Sequence, residues 1–443
     1  MKNIAVIGAG YVGLVTAACF AELGNKVCLI EIDTKKLNAL KRGQMPINEP
    51  GLPELWRRNQ LAGRITVTDN YIQGLLGTEF VFIAVGTPST RSGKTDLKWV
   101  RLATKKIAEA ASGSLLVVLK STVPLGTADL VAELLTRYGR NGYNFSVVSN
   151  PEFLREGFGI FDFMQPTRIV VGAKDEIAAE AVAELYRPLD SPTVVCDNVT
   201  AEMSKYASNV FIASRISFMN EMALVCDEYG VDIMKVTEIM GLDPRFGRGC
   251  LSAGLGWGGS CLPKDVKSLI HMAKIRGIPL RMVNAAQQVN QQQPYVVIRK
   301  LRRLLGSLSG KTIGILGLSF KPGSDDMREA RSIQVISLLE GSGCHIKAYD
   351  PAAMDIAAKL MPSVIYCEDA YEVANDSEAI IIVTEWDDFR KLDMRRISSL
   401  MKLPIIIDSR NMFNPEDMAQ AGFIYDGVGR QGSKHVRIEA GMV

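Results

Sequence analysis

Short apolar runs alternate with helical stretches along the first part of the chain. The order of strand, glycine turn, helix and strand at the start is the βαβ order of a parallel sheet. We therefore predict one doubly wound α/β domain over residues 1–196. Its predicted strands are 3–7 and 26–30, followed by the apolar runs at 80–85, 115–119, 146–148 and 169–171.

The middle of the chain is helical in pattern. Residues 200–229 contain no glycine or proline, and apolar residues recur at helical spacing, which predicts one long helix. Because this helix exceeds the usual length of about 8 to 20 residues, we expect it to join domains or to contact a partner subunit. With further helices predicted at 232–240 and 263–275, residues 197–300 are interpreted as a central helical and dimerisation domain.

The strand pattern returns at Lys311 and predicts a second open α/β domain over residues 301–427. Its first turn, at Gly317, lacks a full GxGxxG, so we expect a different nucleotide ligand there. Residues 428–443 are expected to form a flexible tail. The predicted fold class is α/β, with two Rossmann-like doubly wound domains joined by a long central helix. Strands of the second domain are predicted at 312–316, 379–383 and 404–407, with a further strand that ends at 348–350.

Composition excludes several classes of protein. The 443 residues have a net charge of +3 and no run of five basic residues, so charge gives no support for nucleic-acid binding. No apolar stretch approaches the roughly 20 residues of a membrane span, and the first residues lack the pattern of a signal peptide. We therefore expect a cytoplasmic protein without a membrane partner.

Eight cysteines and three histidines show no CxxC pair and no spacing typical of metal ligands, so no metal is expected. In a reducing compartment such cysteines are mostly small buried residues. We expect this of seven of the eight. Cys261 differs because it lies in the glycine-rich segment 249–265, directly before a predicted helix with a proline in its first turn. There the helix dipole favours a thiolate, so the alternatives are an inert buried thiol and a nucleophile.

The turn Gly8-Ala9-Gly10-Tyr11-Val12-Gly13 follows a strand and opens a helix, which is the context that a dinucleotide-binding fingerprint requires. Glu31 closes the second strand, where a carboxylate accepts hydrogen bonds from a ribose 2′-hydroxyl and repels a 2′-phosphate. NAD is thus favoured over NADP. Asp33 is an alternative acidic residue, Lys35 and Lys36 lie nearby, and a turn of this kind without a cofactor is the competing interpretation.

Two further segments carry polar side chains suited to a site. Lys205 and Asn209 are four residues apart on the long helix and so share a face, although such a pair is more often simply solvated. Residues 149–156 follow a predicted strand, where open α/β sheets place ligand groups, although its two glutamates could be ordinary loop charges.

Taken together, these segments resemble the UDP-glucose and GDP-mannose dehydrogenase family from residue 1 to about 425. The resemblance rests on nine segments in register: GAGYVG (8–13), EPGL (49–52), AVGTP (84–88), KSTVPLGT (120–127), NPEFLREG (150–157), KYASN (205–209), GGSCLPKD (258–265), GLSFKPGSDDMREA (317–330) and DSRN (408–411).

The resemblance implies a four-electron oxidation of the C6 alcohol of a UDP-sugar, UDP-glucose to UDP-glucuronate, with two NAD in succession. The aldehyde would be retained as a thiohemiacetal on Cys261, and the second oxidation would give a thioester that water hydrolyses. Lys205 would stabilise the oxyanion, assisted by Asn209, while Asp265 with Thr122 would position water and Glu152 would act as base. A homodimer is also implied.

The resemblance further implies which residues bind the ligands. Cofactor-binding residues would be Gly8, Gly10, Tyr11, Val12, Gly13, Glu31, Lys36, Thr87, Thr122, Glu156, Lys264 and Arg328. Substrate-binding residues would be Glu152, Phe153, Leu154, Lys205, Asn209, Arg245, Leu251, Gly254, Gly258, Lys321 and Arg410.

Two other functions remain open at this point. Dehydrogenases of GDP-mannose or of UDP-N-acetyl-hexosamines share this machinery and differ in the base and C2 pockets. A nucleotide-sugar-binding protein without catalysis would be expected to lack Cys261 or Lys205, and this sequence has both.

Overall fold

The computed structural model describes residues 1–140, 142–247 and 249–432. The chain divides into two compact units. The first consists of residues 1–208 and 267–278, and the second of residues 209–266 together with the residues from 279 onward.

The first unit is built on an eight-stranded sheet of order β3-β2-β1-β4-β5-β6-β7-β8. Every neighbouring pair is parallel except β6 and β7, which are antiparallel. The sequence pattern had predicted a parallel continuation here. The strands are β1 Asn3–Ile7, β2 Lys26–Ile30, β3 Ile65–Thr68, β4 Phe80–Ile83, β5 Leu115–Leu119, β6 Phe145–Ser149, β7 Ile169–Ala173 and β8 Thr193–Cys196.

The antiparallel pairing has a consequence for residues 150–168. Because β6 ends and β7 begins at the same edge of the sheet, this segment stays at the carboxyl edge instead of crossing back over a face. Ligands of open α/β sheets bind at that edge.

The central strands β1, β4 and β5 contribute buried apolar side chains to two separate clusters, as expected for strands that are covered on both faces. Residues 13–21 of α1 are buried, and Phe20 packs against the rings of Phe82, Phe163 and Tyr186 at centroid distances of 5.0 to 5.2 Å. The helices of this part are α1 Tyr11–Glu22, α2 Thr34–Lys41, α3 Leu52–Leu61, α4 Tyr71–Gly74, α5 Lys98–Ala110, α6 Thr127–Tyr138, α7 Gly159–Met164 and α8 Glu176–Glu184, with a 3₁₀ turn at Arg187–Leu189.

Four helices follow: α9 Asn198–Tyr229, α10 Ile233–Leu242, α11 Leu262–Ile275 and α12 Arg281–Leu305. The 32-residue α9 is the long helix that the sequence predicted. Helix α12 was not predicted, because Pro294 lies inside it and proline ordinarily ends a helical pattern.

The second unit contains a six-stranded parallel sheet of order β11-β10-β9-β12-β13-β14. Both sheets therefore have the strand reversal of a Rossmann-like fold at their first strand, as predicted. The strands are β9 Thr312–Leu316, β10 His345–Tyr349, β11 Ile365–Tyr366, β12 Ala379–Ile382, β13 Ile405–Asp408 and β14 Ile424–Gly427. The helices are α13 Arg331–Glu340, α14 Met354–Leu360, α15 Ala370–Ala374, α16 Asp387–Arg390, α17 Met394–Leu400 and α18 Pro415–Gln420.

The segment after β14 corrects the predicted start of the tail. Val428 is fully buried and exchanges two hydrogen bonds with the side chain of Asn411, and Arg430 pairs with Asp232 at 3.2 Å. Residues 428–432 are thus part of the second unit. Residues 433–443, the rest of the expected flexible tail, lie outside the described residues.

Within the three described ranges, no helix combines the length and hydropathy needed to cross a membrane. Over the same residues, no group of three or more His, Cys, Asp or Glu side chains is arranged to hold a metal ion.

Candidate active site

The glycine turn between β1 and α1 has no space for a side chain at Gly8 or Gly13. Gly8 has φ +102°, and a Cβ there would lie 2.8 Å from the carbonyl O of Ala84. A side chain at residue 13 would overlap the carbonyl O of Gly8. Helix α1 begins at Tyr11, and no side chain among the described residues caps it. Its first N–H groups are therefore placed to bind a pyrophosphate.

Glu31 and Asp33, the two alternative acidic residues, have different tasks. Glu31 is buried and accepts hydrogen bonds from the N–H of Ala9 at 2.7 Å and from that of Asp33 at 2.8 Å. Asp33 caps α2 by accepting from the N–H groups of Lys35 and Lys36, and the bond from Lys36 contributes most to lowering the pKa of its carboxyl. Glu31 alone of the two bonds to the turn, which favours it as the partner of a ribose.

Thr87 and Thr122 follow β4 and β5 at the carboxyl edge and are joined directly. The hydroxyl of Thr87 donates to the carbonyl O of Thr122 at 2.8 Å. The helix that follows, α6, is capped from α9, since Glu202 accepts from the N–H groups of Gly126 at 2.6 Å and Ala128 at 2.9 Å. Burial raises the pKa of Glu202 to about 7. This cap was not predicted from the sequence, because Glu202 lies 74 and 76 residues along the chain from the N–H groups that it accepts from.

Lys205 and Glu152 form a buried ion pair. The distance from Nζ of Lys205 to Oε1 of Glu152 is 2.9 Å, and the side chains are 5% and 6% exposed. The N–H of Leu154 donates to Oε2 of Glu152 at 2.6 Å. Burial alone would raise the pKa of Glu152, but Lys205 and the Leu154 N–H together lower it below its ordinary value. Two residues proposed for the site are thereby brought together.

A second buried lysine, Lys120, lies beside this pair and was not foreseen as a functional residue. Its Nζ donates to Oδ1 of Asn150 at 2.9 Å and to the hydroxyl of Tyr186 at 3.0 Å. Burial lowers the pKa of Lys120 to about 7, with Glu152 opposing that shift and Lys205 adding to it. Lys120 can therefore lose its proton near physiological pH.

The side chain of Phe153 packs between protein cations. The guanidinium carbon of Arg168 lies 3.7 Å from the ring centroid, and Nζ of Lys205 lies 5.4 Å from it. Arg168 in turn donates to the hydroxyl of Ser208 at 3.2 Å. The ring of Phe153 therefore has cationic neighbours from its own unit.

Cys261 directly precedes α11, and its carbonyl O accepts from the N–H of Asp265 at 2.9 Å, which makes it the N-cap residue. Its side chain is exposed, a property it shares only with Cys250 among the eight cysteines. Asp265 is fully buried and accepts from the side-chain amide of Asn209 and from Nζ of Lys264, both at 2.6 Å. Four predicted residues are therefore connected around the first turn of α11.

Glycines of the loop before Cys261 lie close to the backbone of other segments of the second unit. A side chain at Gly258 would overlap the carbonyl O of Glu329, and one at Gly254 would lie 2.7 Å from that of Ser409. The N–H of Gly259 donates to the carbonyl O of Arg328 at 3.0 Å. These glycines let the loop approach the backbone of its own unit.

The remaining predicted substrate and cofactor residues of the second unit differ in exposure. Arg410 follows β13 and donates to the carbonyl O of Val383 at 2.6 Å, with its side chain 15% exposed. Leu251 is buried in an apolar cluster with Met219 and Ala223, so its side chain has a packing role. Arg245 and Arg328 are exposed and form ion pairs with the less exposed Asp243 and Asp326. Nζ of Lys321 lies 5.5 Å from the ring centroid of Phe320.

Three family models match in order along the chain, all of the UDP-glucose/GDP-mannose dehydrogenase family: the NAD binding domain over residues 2–190, the central domain over 199–292 and the UDP binding domain over 314–415.

Two curated relatives are similar over nearly their whole length. The UDP-glucose 6-dehydrogenase TuaD of Bacillus subtilis is 43% identical over 431 residues, covering 97% of this chain and 94% of the relative. The UDP-glucose 6-dehydrogenase of Rhizobium meliloti is 43% identical over 435 residues, covering 97% and 99%.

Solved structures agree. A UDP-glucose dehydrogenase from Pyrobaculum islandicum superposes with a TM-score of 0.91 at 39% identity, covering 97% of this chain and 98% of that one. A UDP-D-ManNAc dehydrogenase from Pyrococcus horikoshii has a TM-score of 0.86 at 28% identity, covering 98% and 100%.

Proposed function

This chain belongs to the UDP-glucose/GDP-mannose dehydrogenase family, and we propose that it oxidises the C6 alcohol of UDP-glucose to the carboxylate of UDP-glucuronate. As in the rest of the family, NAD is the oxidant. The identity of 43% to UDP-glucose 6-dehydrogenases supports UDP-glucose over the sugars of relatives at 28% identity, such as the UDP-D-ManNAc dehydrogenase.

The observation that carries the proposal is the exposed thiol of Cys261 at the start of α11, with Asp265 held by Asn209 and Lys264 in the next turn. A thiolate is stabilised at a helix N-terminus and adds readily to an aldehyde. The thiohemiacetal formed on Cys261 has a tetrahedral carbon that carries both a hydroxyl and a hydrogen, so it can lose a proton and a hydride, whereas a free aldehyde must first add water. Oxidation gives a thioester, and water then releases the acid and restores the thiol.

Lys205 and Glu152 are proposed to serve the charged steps. A lysine ammonium stabilises the oxyanion that develops at C6, and Asn209, one helical turn further along α9, assists it. Glu152 is proposed as the base that activates water for thioester hydrolysis, with Asp265 and Thr122 positioning the water. The buried pair of Glu152 with Lys205 supports this, since the carboxylate is ionised and able to accept a proton.

The residues of the first unit fit NAD. The N-terminus of α1 and the closed glycine turn suit a pyrophosphate, and Glu31 suits a ribose without a 2′-phosphate. When bound, NAD takes up two electrons and a proton equivalent at each oxidation. We propose that it also contacts Tyr11, Val12, Lys36, Thr87, Thr122, Glu156, Lys264 and Arg328.

The substrate contacts are proposed from the family resemblance and from the chemistry of the side chains. Arg410, Lys321 and Arg245 suit a diphosphate, arginine through its planar fork and lysine as a point charge. The backbone of Phe153, Leu154, Gly254 and Gly258 would line the sugar nucleotide, and Leu251 would contribute through its main chain. We propose the domain limits 1–196, 197–300 and 301–432, in which the last domain is extended to include residues 428–432 of the second unit.

We also propose a homodimer that is formed through α9 and a cytoplasmic location. Phe211, Phe218 and Val225 are seven residues apart, share a face of α9 and are 62%, 48% and 50% exposed. On α10, Ile239 and Leu242 are 69% and 65% exposed. Large exposed apolar surface of this kind is typical of a protein interface.

The experiment that tests the function is a panel of nucleotide sugars, assayed for NADH released per sugar consumed. The expected result is two NADH per UDP-glucose with formation of the acid. One NADH per sugar would contradict the covalent mechanism, and activity with GDP-mannose or a UDP-N-acetyl-hexosamine alone would overturn the assignment of substrate.

A further inference from the structure

Glu49 is a buried carboxylate that the proposed reaction does not use. It lies in the loop between α2 and α3 and is 3% exposed. Its Oε2 accepts from the hydroxyl of Tyr11 at 2.6 Å and from the N–H of Gly157 at 2.7 Å. Its Oε1 accepts from the N–H of Gly159 at 2.6 Å and from that of Ile160 at 3.3 Å. A buried carboxylate is costly unless it is bonded in this way, so four donors fix its place.

Tyr11 is the other end of this connection. It is the first residue of α1, inside the Gly8–Gly13 turn, and its hydroxyl also lies 2.8 Å from the carbonyl O of Arg155. A side chain at residue 159 would overlap that hydroxyl, so glycine is needed there for the contact to form. Burial, and then the bond to Glu49, raise the pKa of Tyr11 above its ordinary value, which keeps the phenol protonated as a donor.

The segment that Glu49 holds is the one that carries the proposed base. Gly157 and Gly159 close the stretch 150–160, in which Glu152 pairs with Lys205 and its other oxygen is bonded by the N–H of Leu154. Glu156, a proposed ribose contact, precedes Gly157 directly. A shift of Gly157 would therefore move both functional glutamates through a few residues of backbone.

We infer that Glu49 is a positioning residue that couples the nucleotide-binding turn to the segment bearing Glu152 and Glu156. Through Tyr11 it contacts the helix that would bind the pyrophosphate, and through Gly157 and Gly159 it fixes the segment on which hydrolysis depends. Occupation of the turn by NAD then favours the catalytic arrangement of Glu152. The inference rests on the proposed function for its kinetic part, while its binding part does not need the sugar.

The test uses Glu49→Gln, Tyr11→Phe and the double variant, with Glu54→Gln on the exposed face of α3 as the matched control. The glutamine keeps the size of the side chain but cannot accept from all four donors. Tyr11→Phe removes only the hydroxyl and leaves the three backbone bonds of Glu49, so it stays informative if Glu49→Gln fails to fold. Titration with NAD alone gives Kd, and steady-state assays with UDP-glucose give kcat and both KM values.

The expected result is a Kd for NAD weakened about fivefold or more in both single variants, which is the lower range of coupling between sites. We also expect kcat to fall about tenfold in Glu49→Gln. The double variant should resemble Glu49→Gln instead of showing the product of both effects, because the two changes break one contact.

Two outcomes would overturn the inference. One is unchanged kcat, KM and Kd with only a lowered Tm, which would make Glu49 a structural residue. The other is full additivity of the two substitutions. If the wild-type protein releases no NADH from UDP-glucose, the proposed function fails, and the NAD titrations still decide whether Glu49 and Tyr11 act together.

Discussion

Nζ of Lys205 lies 2.9 Å from Oε1 of Glu152, and both side chains are almost completely buried. Each charge compensates the other, so removal of either takes an opposite charge away from a buried ion. We expect Glu152→Gln to lower kcat about 10²- to 10⁴-fold, the usual contribution of a general base, because water is no longer activated. Rapid-quench kinetics should show a burst of NADH followed by slow release of acid.

Glu133→Gln, at an exposed position of α6, is the control for this change. Circular dichroism must confirm folding, since breaking a buried pair costs about 3–5 kcal/mol. A Glu152→Gln protein that is folded and forms acid at the wild-type rate would exclude this residue as the base.

Cys261→Ser should abolish production of the acid, because an oxygen ester is hydrolysed far less readily than a thioester and a serine hydroxyl is a weaker nucleophile. Product analysis by chromatography is the measurement. The matched control is Cys250→Ser, which removes the other exposed thiol. Steady-state acid production at the wild-type rate by the serine variant would refute covalent catalysis by Cys261.

Lys120→Met should stabilise the protein most at low pH. The pKa of Lys120 is about 7 in the folded chain against an ordinary value of 10.5. Between these values the unfolded chain binds a proton that the folded chain does not, so the stability of the wild type rises with pH through this window. The advantage of the methionine variant should therefore be greatest near pH 6 and shrink toward pH 10.

Differential scanning calorimetry of both proteins checks this. A change of about 3 °C or more in the difference of Tm across the window is expected, since a domain of this size shifts about 2–4 °C per kcal/mol. Lys26→Met, at an exposed position of β2, should show no such trend. A difference in Tm between Lys120→Met and the wild type that grows with pH would contradict the lowered pKa of Lys120.

Glu31→Gln should weaken the preference for NAD over NADP. The change removes the negative charge near the ribose and a hydrogen bond to a charged group worth about 1.5–3 kcal/mol, so kcat/KM for NAD should fall about tenfold or more. Asp33→Asn is the matched control, since Asp33 caps α2 and bonds no part of the turn. If only the Asp33 variant altered the preference for NAD over NADP, Asp33 and not Glu31 would be the residue that contacts the ribose.

Phe211→Glu and Phe218→Glu should dissociate the proposed homodimer. A charge placed in an apolar interface leaves an ion without a partner, and each 1.4 kcal/mol lost raises Kd about tenfold. Sedimentation velocity at several concentrations is the measurement. Ile177→Glu on α8, where the isoleucine is 80% exposed, is the control. A wild-type protein that sediments as a monomer would contradict the proposal directly.

The sequence predicted most strands of both sheets because their strongest signal is a local apolar run. It failed where the fold depends on distant contacts. The short strands β3, β8, β11 and β14 were not predicted. The antiparallel direction of β7 depends on its pairing with β6, which a local sequence pattern does not indicate. The 25-residue helix α12 was not predicted because it contains Pro294.

The site could be anticipated in part. Spacing on one helix indicated Lys205 and Asn209, but not that Lys205 would pair with Glu152 or that Asn209 would bond Asp265. Glu49 and Lys120 lie in motifs of the family resemblance, but no role was predicted for either residue. Their partners are backbone groups and side chains far along the chain. Such partners become visible only when the chain is folded.

The distribution of the thiols has a practical consequence. Cys250 and Cys261 are exposed, whereas four cysteines are buried and two are partly buried. Alkylation of the native protein should therefore label two positions, and modification of the others would report that a unit has opened. Cys19, Cys28 and Cys196 belong to the first unit and Cys226, Cys344 and Cys367 to the second, so peptide mapping of the alkylated chain would follow the unfolding of each unit separately without any introduced probe.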